Sequence, residues 1–233
     1  MSLELPGHLS RPVSFPPWLP DESEIREHYR GTVLYWPYKV ELTRWLSALL
    51  PADGSCSLLD VGAGDGRLGI FLERYRPQTK VFGIETMIRP SPRALRDLAQ
   101  FDGSLIPFGN KCFDVSLLCD VLHHTTTPEK LLGEVKRVTR DRIIIKDHFY
   151  EDFFDRKLLY ILDVLGNFRF GVSVAGNYFG KSGWNTLVSG VGAASVEIHS
   201  EVPLRRGVLK GLFHNGLEII FVLNLNDRRT TQQ

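Results

Sequence analysis

"LLDVGAGDGRLGIF", residues 58–71, decides how this chain is read: an apolar run carrying Asp60, glycines at Gly62, Gly64 and Gly66, then an amphipathic stretch. A short buried strand, a loop in which every second residue lacks a Cβ and a helix that starts at once make a unit that holds a ligand beyond a strand's carboxyl end. Glycine lets the backbone turn tightly and approach that ligand, while the helix start offers N–H groups to a polar group. The dinucleotide fingerprint G-x-G-x-x-G fits Gly62 and Gly64 but meets Arg67 in its third place, which weakens a dehydrogenase reading. No G-x-x-x-x-G-K-[ST] string occurs, so nucleoside triphosphate chemistry falls from the front rank. Glu85 closes the next apolar run, "KVFGIE", where an acid accepts from a ribose diol. Adenosine in some form is the favoured ligand.

Outward from that loop, strand and helix signals alternate. "RLGIFLERYR" sets Leu68, Phe71, Leu72 and Tyr75 on one helical face, and "FDVSLLCDVL" and "RIIIKDH" read as strands. In "TTTPEKLLGEVKRV", Thr127 is placed to cap a helix whose first residue is Pro128. Upstream, "WPYKVELTRWLSALLP" spaces Val40, Leu42, Leu46 and Leu49 for a helix that Pro51 stops. Downstream, "ASVEIHSEV" and "LEIIFVLNL" read as an antiparallel pair. The expected fold is α/β: a doubly wound, mostly parallel, seven-stranded Rossmann-like sheet with an antiparallel C-terminal edge pair. Residues 1–24, broken by five prolines, read as an arm on which Phe15 and Trp18 dock. Residues 25–233 read as one domain.

Composition narrows the function classes. Lys and Arg number 28 against 27 Asp and Glu, so a net charge of +1 gives no broad attraction for nucleic acid or anionic lipid. Cys56, Cys112 and Cys119 are odd in number and lack zinc or disulfide spacing, so no metal site is expected and a reducing cytoplasm suits them. No signal-peptide pattern and no run of about 18 apolar residues occurs, which excludes a helical membrane span.

The blocks "LDVGAGDGRLG", "FGIET", "FDGSLIPFGNKCFDVSLLCDVLHHTTTPEKLLGEVKRVTR" and "IIIKDH" follow one another over residues 58–148. In that order the chain resembles the class I S-adenosylmethionine-dependent methyltransferases of the "VLHH" type. The resemblance implies S-adenosyl-L-methionine as cofactor. Gly62, Ala63 and Gly64 would lie against its methionyl part, with Asp60 near the amino group. Glu85 would take the ribose hydroxyls, with Thr86 and Met87 beside it and Met87 on the adenine. Asp102 and Gly103 match the position that accepts from the adenine amino group, and Cys119 and Asp120 would line the methionyl end. The chain departs from the family pattern in "TMIRPSPRALRDLAQ", which leaves little room for a full helix, and in "TRDR", which replaces a Pro-Gly-Gly turn.

The acceptor side is expected from residues 149–185, an insertion with ten aromatic residues between Phe149 and Trp184. Many of these rings belong to an amphipathic helix carrying Leu158, Leu159, Ile161, Leu162 and Leu165, while Tyr150 and Tyr178 are candidates to touch the acceptor. A small apolar or aromatic molecule suits such a pocket better than a charged polymer. His148, His124 and His123 are candidate general bases for an acceptor that must lose a proton, with Asp147 able to orient an imidazole. The alternatives are a binding protein that has lost turnover and a nucleic-acid methyltransferase. Arg137, Arg140 and Arg142, and Arg205 with Arg206, lack the interleaved aromatics of a single-strand groove, which leaves the nucleic-acid reading behind.

Overall fold

The apolar runs become strands because both faces of the sheet are covered, so each strand can be hydrophobic throughout. The structure is a computed structural model and describes residues 8–9, 13, 21–29, 36–52, 54–88, 97–167, 176–205 and 215–226. Its strands are β1 (His8–Leu9), β2 (Cys56–Val61), β3 (Thr79–Glu85), β4 (Leu98–Gln100), β5 (Phe113–Cys119), β6 (Thr139–His148), β7 (Ser195–Ser200) and β8 (Glu218–Asn224). Its helices are α1 (Glu22–His28), α2 (Trp36–Leu49), α3 (Arg67–Tyr75), α4 (Pro128–Val138), α5 (Phe153–Asn167) and α6 (Lys181–Val191). The strands lie in the order β1-β7-β8-β6-β5-β2-β3-β4.

All pairings are parallel except those of β8, which runs against both β6 and β7. The doubly wound sheet and the antiparallel C-terminal pair are therefore present, with β8 inserted as the inner member. The arm adds what the prolines concealed, since His8 and Leu9 pair in parallel with Val196 and Glu197 and extend the sheet past β7. Strand order reverses between β2 and β5, so a crevice opens at their carboxyl ends.

Period-two alternation divides the core. Ile143 and Ile145 of β6 and Leu59 and Val61 of β2 face α4 and α6, where Leu131, Val135, Trp184 and Val188 are buried. Ile144 and Leu58 face the opposite way, onto Tyr38, Leu42, Leu46 and Leu49 of α2 and Leu72 of α3. The N-terminal helices are tied to the glycine loop. Asp21 caps α1 by accepting from the Ser23 and Glu24 N–H groups, and its own N–H donates to the Tyr75 hydroxyl at 2.8 Å. Arg67, the first residue of α3, donates to the His28 carbonyl at 2.7 Å and sits over the Tyr29 ring. Thr127 occupies the N-cap position of α4, with Pro128 first in the helix, although its side chain makes no cap bond. In place of the missing turn, Thr139 ends α4 and starts β6 directly. Phe15, Trp18, Phe168, Phe170, Arg206, residues 89–96 of the departing segment and the Leu165 side chain lie outside the described residues.

Candidate active site

The glycine loop leaves β2 with left-handed φ values of 74° at Gly62, 61° at Gly64 and 75° at Gly66. A Cβ on Gly62 would stand 2.6 Å from a Val121 methyl, whereas one on Gly64 would meet nothing within 4 Å. Gly62 is thus fixed by packing, and Gly64 borders open space. The N–H groups of the loop are already used: Gly62 and Ala63 donate to the Ile84 carbonyl, and Gly64 donates to Glu85 Oε2 at 2.8 Å. Glu85 Oε1 accepts from the N–H and hydroxyl of Thr86 and, at 3.4 Å, from the Met87 N–H. Oε1 is already taken up by these donors, but Oε2 accepts only from Gly64 and keeps a lone pair with which Glu85 can still accept from a diol.

Asp60 has no such support. It is fully buried, its Oδ2 meets no donor among the described residues, and burial followed by the charge of Glu85 pushes its carboxyl up to about 7. Two acids and a loop with occupied N–H groups make a site that repels phosphate and favours a cation with hydroxyl groups. Met87 is exposed beside it. Asp102 stands at the surface with Oδ1 accepting from Ser104 N–H, Ser104 Oγ and Leu105 N–H, which holds its carboxyl below the ordinary range. Gly103 next to it has φ 85°, and a Cβ there would crowd the Thr86 methyl at 3.2 Å.

At the ends of β5, β6 and β8 a second set of charges gathers. Cys119 is half-buried, and burial followed by the Asp120 charge pushes its thiol well up, so it stays protonated. Asp120 takes φ 59°, a strained value for a residue with a Cβ, and pairs with the fully buried Lys146 ammonium. Lys146 also meets the Tyr38 hydroxyl and, at 2.7 Å, Glu218 Oε2, while Arg205 pairs with Glu218 Oε1. Burial opposes these carboxylates, but the Lys146 charge outweighs it and both Asp120 and Glu218 are held well below the ordinary range. His148 stands at the rim of this set, 3.6 Å from Glu218 and 3.9 Å from Asp120.

The other face of the same strand ends carries the histidine pair. His123 is buried with Nδ1 at 2.5 Å from Asp147 Oδ1, and Asp147 Oδ2 accepts from the Leu122 N–H. Burial disfavours the His123 imidazolium, but the charge and hydrogen bond of Asp147 prevail and its pKa is raised. His124, half-buried, is shifted the opposite way by burial and by His123. Asp163 of α5 reaches down to both imidazoles and accepts from the Tyr178 hydroxyl at 2.7 Å. Tyr178 is therefore buried in stacked contact with His123, and Tyr150 is half-buried against Gly180.

The fold brings His123, His124, His148 and Tyr178 together, with ring centroids 4.0 to 6.2 Å apart in the contacting pairs. Asp60, Gly62, Gly64 and Glu85 gather at the next strand ends. Sequence reading missed Lys146, Glu218, Asp163 and Tyr38, and weighed Arg205 only as part of a basic cluster, whereas it pairs with Glu218. The one available signal was a lysine inside the apolar run of β6, on the face it shares with Ile144.

Residues 59–144 match the family model described as a methyltransferase domain. No curated protein sequence matches the chain. Three solved structures illustrate the likeness in fold. YcgJ from Bacillus subtilis is 17% identical, with a TM-score of 0.57 over 79% of this chain and 97% of its own. A methyltransferase from Thermotoga maritima, described as a possible histamine N-methyltransferase, is 17% identical, with a TM-score of 0.58 over 88% and 98%. A putative O-methyltransferase from Nostoc punctiforme is 15% identical, with a TM-score of 0.53 over 88% of this chain and 66% of its own.

Proposed function

We propose that this chain, whose residues 59–144 match a methyltransferase-domain model, is a class I S-adenosylmethionine-dependent methyltransferase that methylates a small apolar or aromatic molecule in the cytoplasm. The carrying observation is α5, whose Asp163 reaches the His123 and His124 imidazoles just beyond β5. It joins Leu159 to Tyr178 and Leu217 beneath it, and Phe153, Phe154, Tyr160 and Ile161 remain exposed along it. An aromatic and aliphatic covering over a strand-end crevice suits an uncharged acceptor and serves residues 149–185 as the acceptor-side insertion. No helix among the described residues is long and apolar enough to cross a membrane.

The residues fit the cofactor at the position where Asp60 has a buried oxygen without a donor, since an ammonium group is the partner that oxygen lacks. Gly62, Ala63 and Gly64 would hold the methionyl part, and Glu85 the ribose. Thr86, Met87, Asp102 and Gly103 would border the adenine, and Cys119 and Asp120 the methionyl end. When bound, the cofactor supplies a sulfonium methyl open to in-line displacement. The chain's own work is to hold the acceptor in line, keep water out and, where the acceptor is a hydroxyl or ammonium, receive its proton. We assign that proton to His148. It stands at the rim, while His123 is buried with Nδ1 committed to Asp147 and His124 faces Asp163.

The test is transfer from labelled cofactor into fractionated metabolites, with single-stranded RNA and DNA as comparison substrates. Label in neutral, organic-extractable products supports the reading. Label in nucleic acid with steep salt dependence would replace it, and cofactor binding with no labelled product in any fraction would make the chain a binding protein.

A further inference from the structure

His123 is held in a way that leaves one ring nitrogen for another partner. When Nδ1–H donates to Asp147 Oδ1 at 2.5 Å, Nε2 carries the free lone pair, the tautomer that a carboxylate selects in a metal-binding imidazole. That lone pair faces Asp163 Oδ2 at 3.8 Å, and Nε2 of His124 faces the other oxygen, Oδ1, at 3.7 Å. Both gaps are too long for hydrogen bonds. The three donor atoms lie within 4.8 Å of one another, with His123 and Asp163 buried and His124 half-buried.

Two ligands bound tetrahedrally to zinc at about 2.0–2.1 Å stand about 3.3 Å apart, so an ion must draw in each imidazole–carboxylate contact by about 0.4–0.5 Å and the widest donor pair by at most about 1.5 Å. We propose that His123, His124 and Asp163 form a binding site for one divalent transition-metal ion, of which Zn²⁺ best suits two imidazoles and a carboxylate. Asp147 behind His123 and the Tyr178 hydroxyl behind Asp163 complete the outer ring that orients such ligands. Three protein ligands leave a fourth position for water or for an oxygen or nitrogen of a substrate.

The neighbouring group Asp120, His148 and Glu218 converges equally well, but Lys146 is already bonded to both of its carboxylates and supplies the cation there. No metal was legible in the sequence, because its only adjacent histidines follow a strand and do not stand at the helical spacing of i and i+4.

The test reads the metal, not turnover, so it stands or falls separately from the methyl acceptor. Full-length protein stripped with a chelator is titrated with Co²⁺ and then with Zn²⁺. A one-to-one visible spectrum of four- or five-coordinate Co²⁺, abolished by Zn²⁺, is expected, together with a rise in melting temperature on adding Zn²⁺. Asp163→Asn and His124→Gln should each weaken Co²⁺ binding by more than about tenfold, and Asp147→Asn by about 10-fold to 100-fold. His148→Gln should leave the Co²⁺ spectrum in place. If Asp163→Asn does not fold, His124→Gln, at the more exposed ligand, carries the test. A wild-type protein without the Co²⁺ spectrum, or one whose spectrum survives His124→Gln unchanged, overturns the site.

Discussion

At the end of β2, Asp60 is buried with an oxygen that no described donor reaches, and Glu85 adds to its discomfort. At the ends of β5, β6 and β8, Glu218 and Asp147 are just as confined and Asp120 is half-buried, yet each faces a cation built into the chain: Lys146, Arg205 or His123. The same chemical group therefore serves two purposes within one crevice. Where the chain supplies the counter-charge, the carboxylate fixes architecture. Where an oxygen is left without a donor, as at Asp60 even with the Lys39 charge acting on it, the carboxylate is a place for a ligand's cation. Asp120 shows how firmly the first purpose is imposed, since its backbone is held at a left-handed φ so that its side chain meets Lys146.

The largest effect should come from removing the shared cation. Lys146→Met leaves Asp120 and Glu218 buried with less compensation, and breaking a buried pair from one side costs about 3–5 kcal/mol. Chemical denaturation should show that loss, with Asp60→Asn at pH 8 showing none or a gain. Equal destabilisation by the two variants would erase the distinction between the two ends.

His148 tests whether the compensated end also acts on the acceptor. His148→Ala should lower the turnover number by about 10²-fold for a proton-bearing acceptor and leave cofactor affinity nearly unchanged. A matched fall in cofactor affinity would make His148 part of the scaffold around Lys146. Glu85→Ala should weaken cofactor binding by about 10-fold to 100-fold, the worth of a charge-assisted contact of roughly 1.5–3 kcal/mol. Calorimetry settles it, and an unchanged affinity would leave Glu85 as a brace for the Gly64 N–H alone.

Much of this was legible before the fold was seen. Strands covered on both faces are apolar throughout, so "SLLDV", "FDVSLLC" and "RIIIKDH" stood out, and the glycine loop marked the crevice. β1 was not legible, because a two-residue pairing among prolines has no periodicity to detect. The charge networks were hidden for a different reason. Lys146 finds Asp120 just after β5, Glu218 on β8 and Tyr38 on α2, and no local spacing links them. Asp163 reads as one polar position on an amphipathic helix until α5 is laid over the histidines. The same crossing turned Tyr178 inward, so its hydroxyl serves Asp163 within the fold.

The smallest effect is also the most direct measure of the uncompensated end. The Asp60 carboxyl is raised to about 7 in the folded chain, against about 3.9 when unfolded. Between those values the folded state holds a proton that the unfolded state has lost, so this group's contribution to stability is complete below about pH 4 and fades as pH rises through 7. The difference in unfolding free energy between wild type and Asp60→Asn should therefore drift against wild type from pH 4 to 7 and level off above. A bound ammonium reverses the balance by favouring the carboxylate. At pH 6, cofactor binding should then release a fraction of a proton, seen as a dependence of the calorimetric enthalpy on the ionisation enthalpy of the buffer. Asp60→Asn should lose that dependence. If wild type and variant release the same number of protons, the ammonium of the cofactor is bound elsewhere and Asp60 is simply a protonated acid in the core.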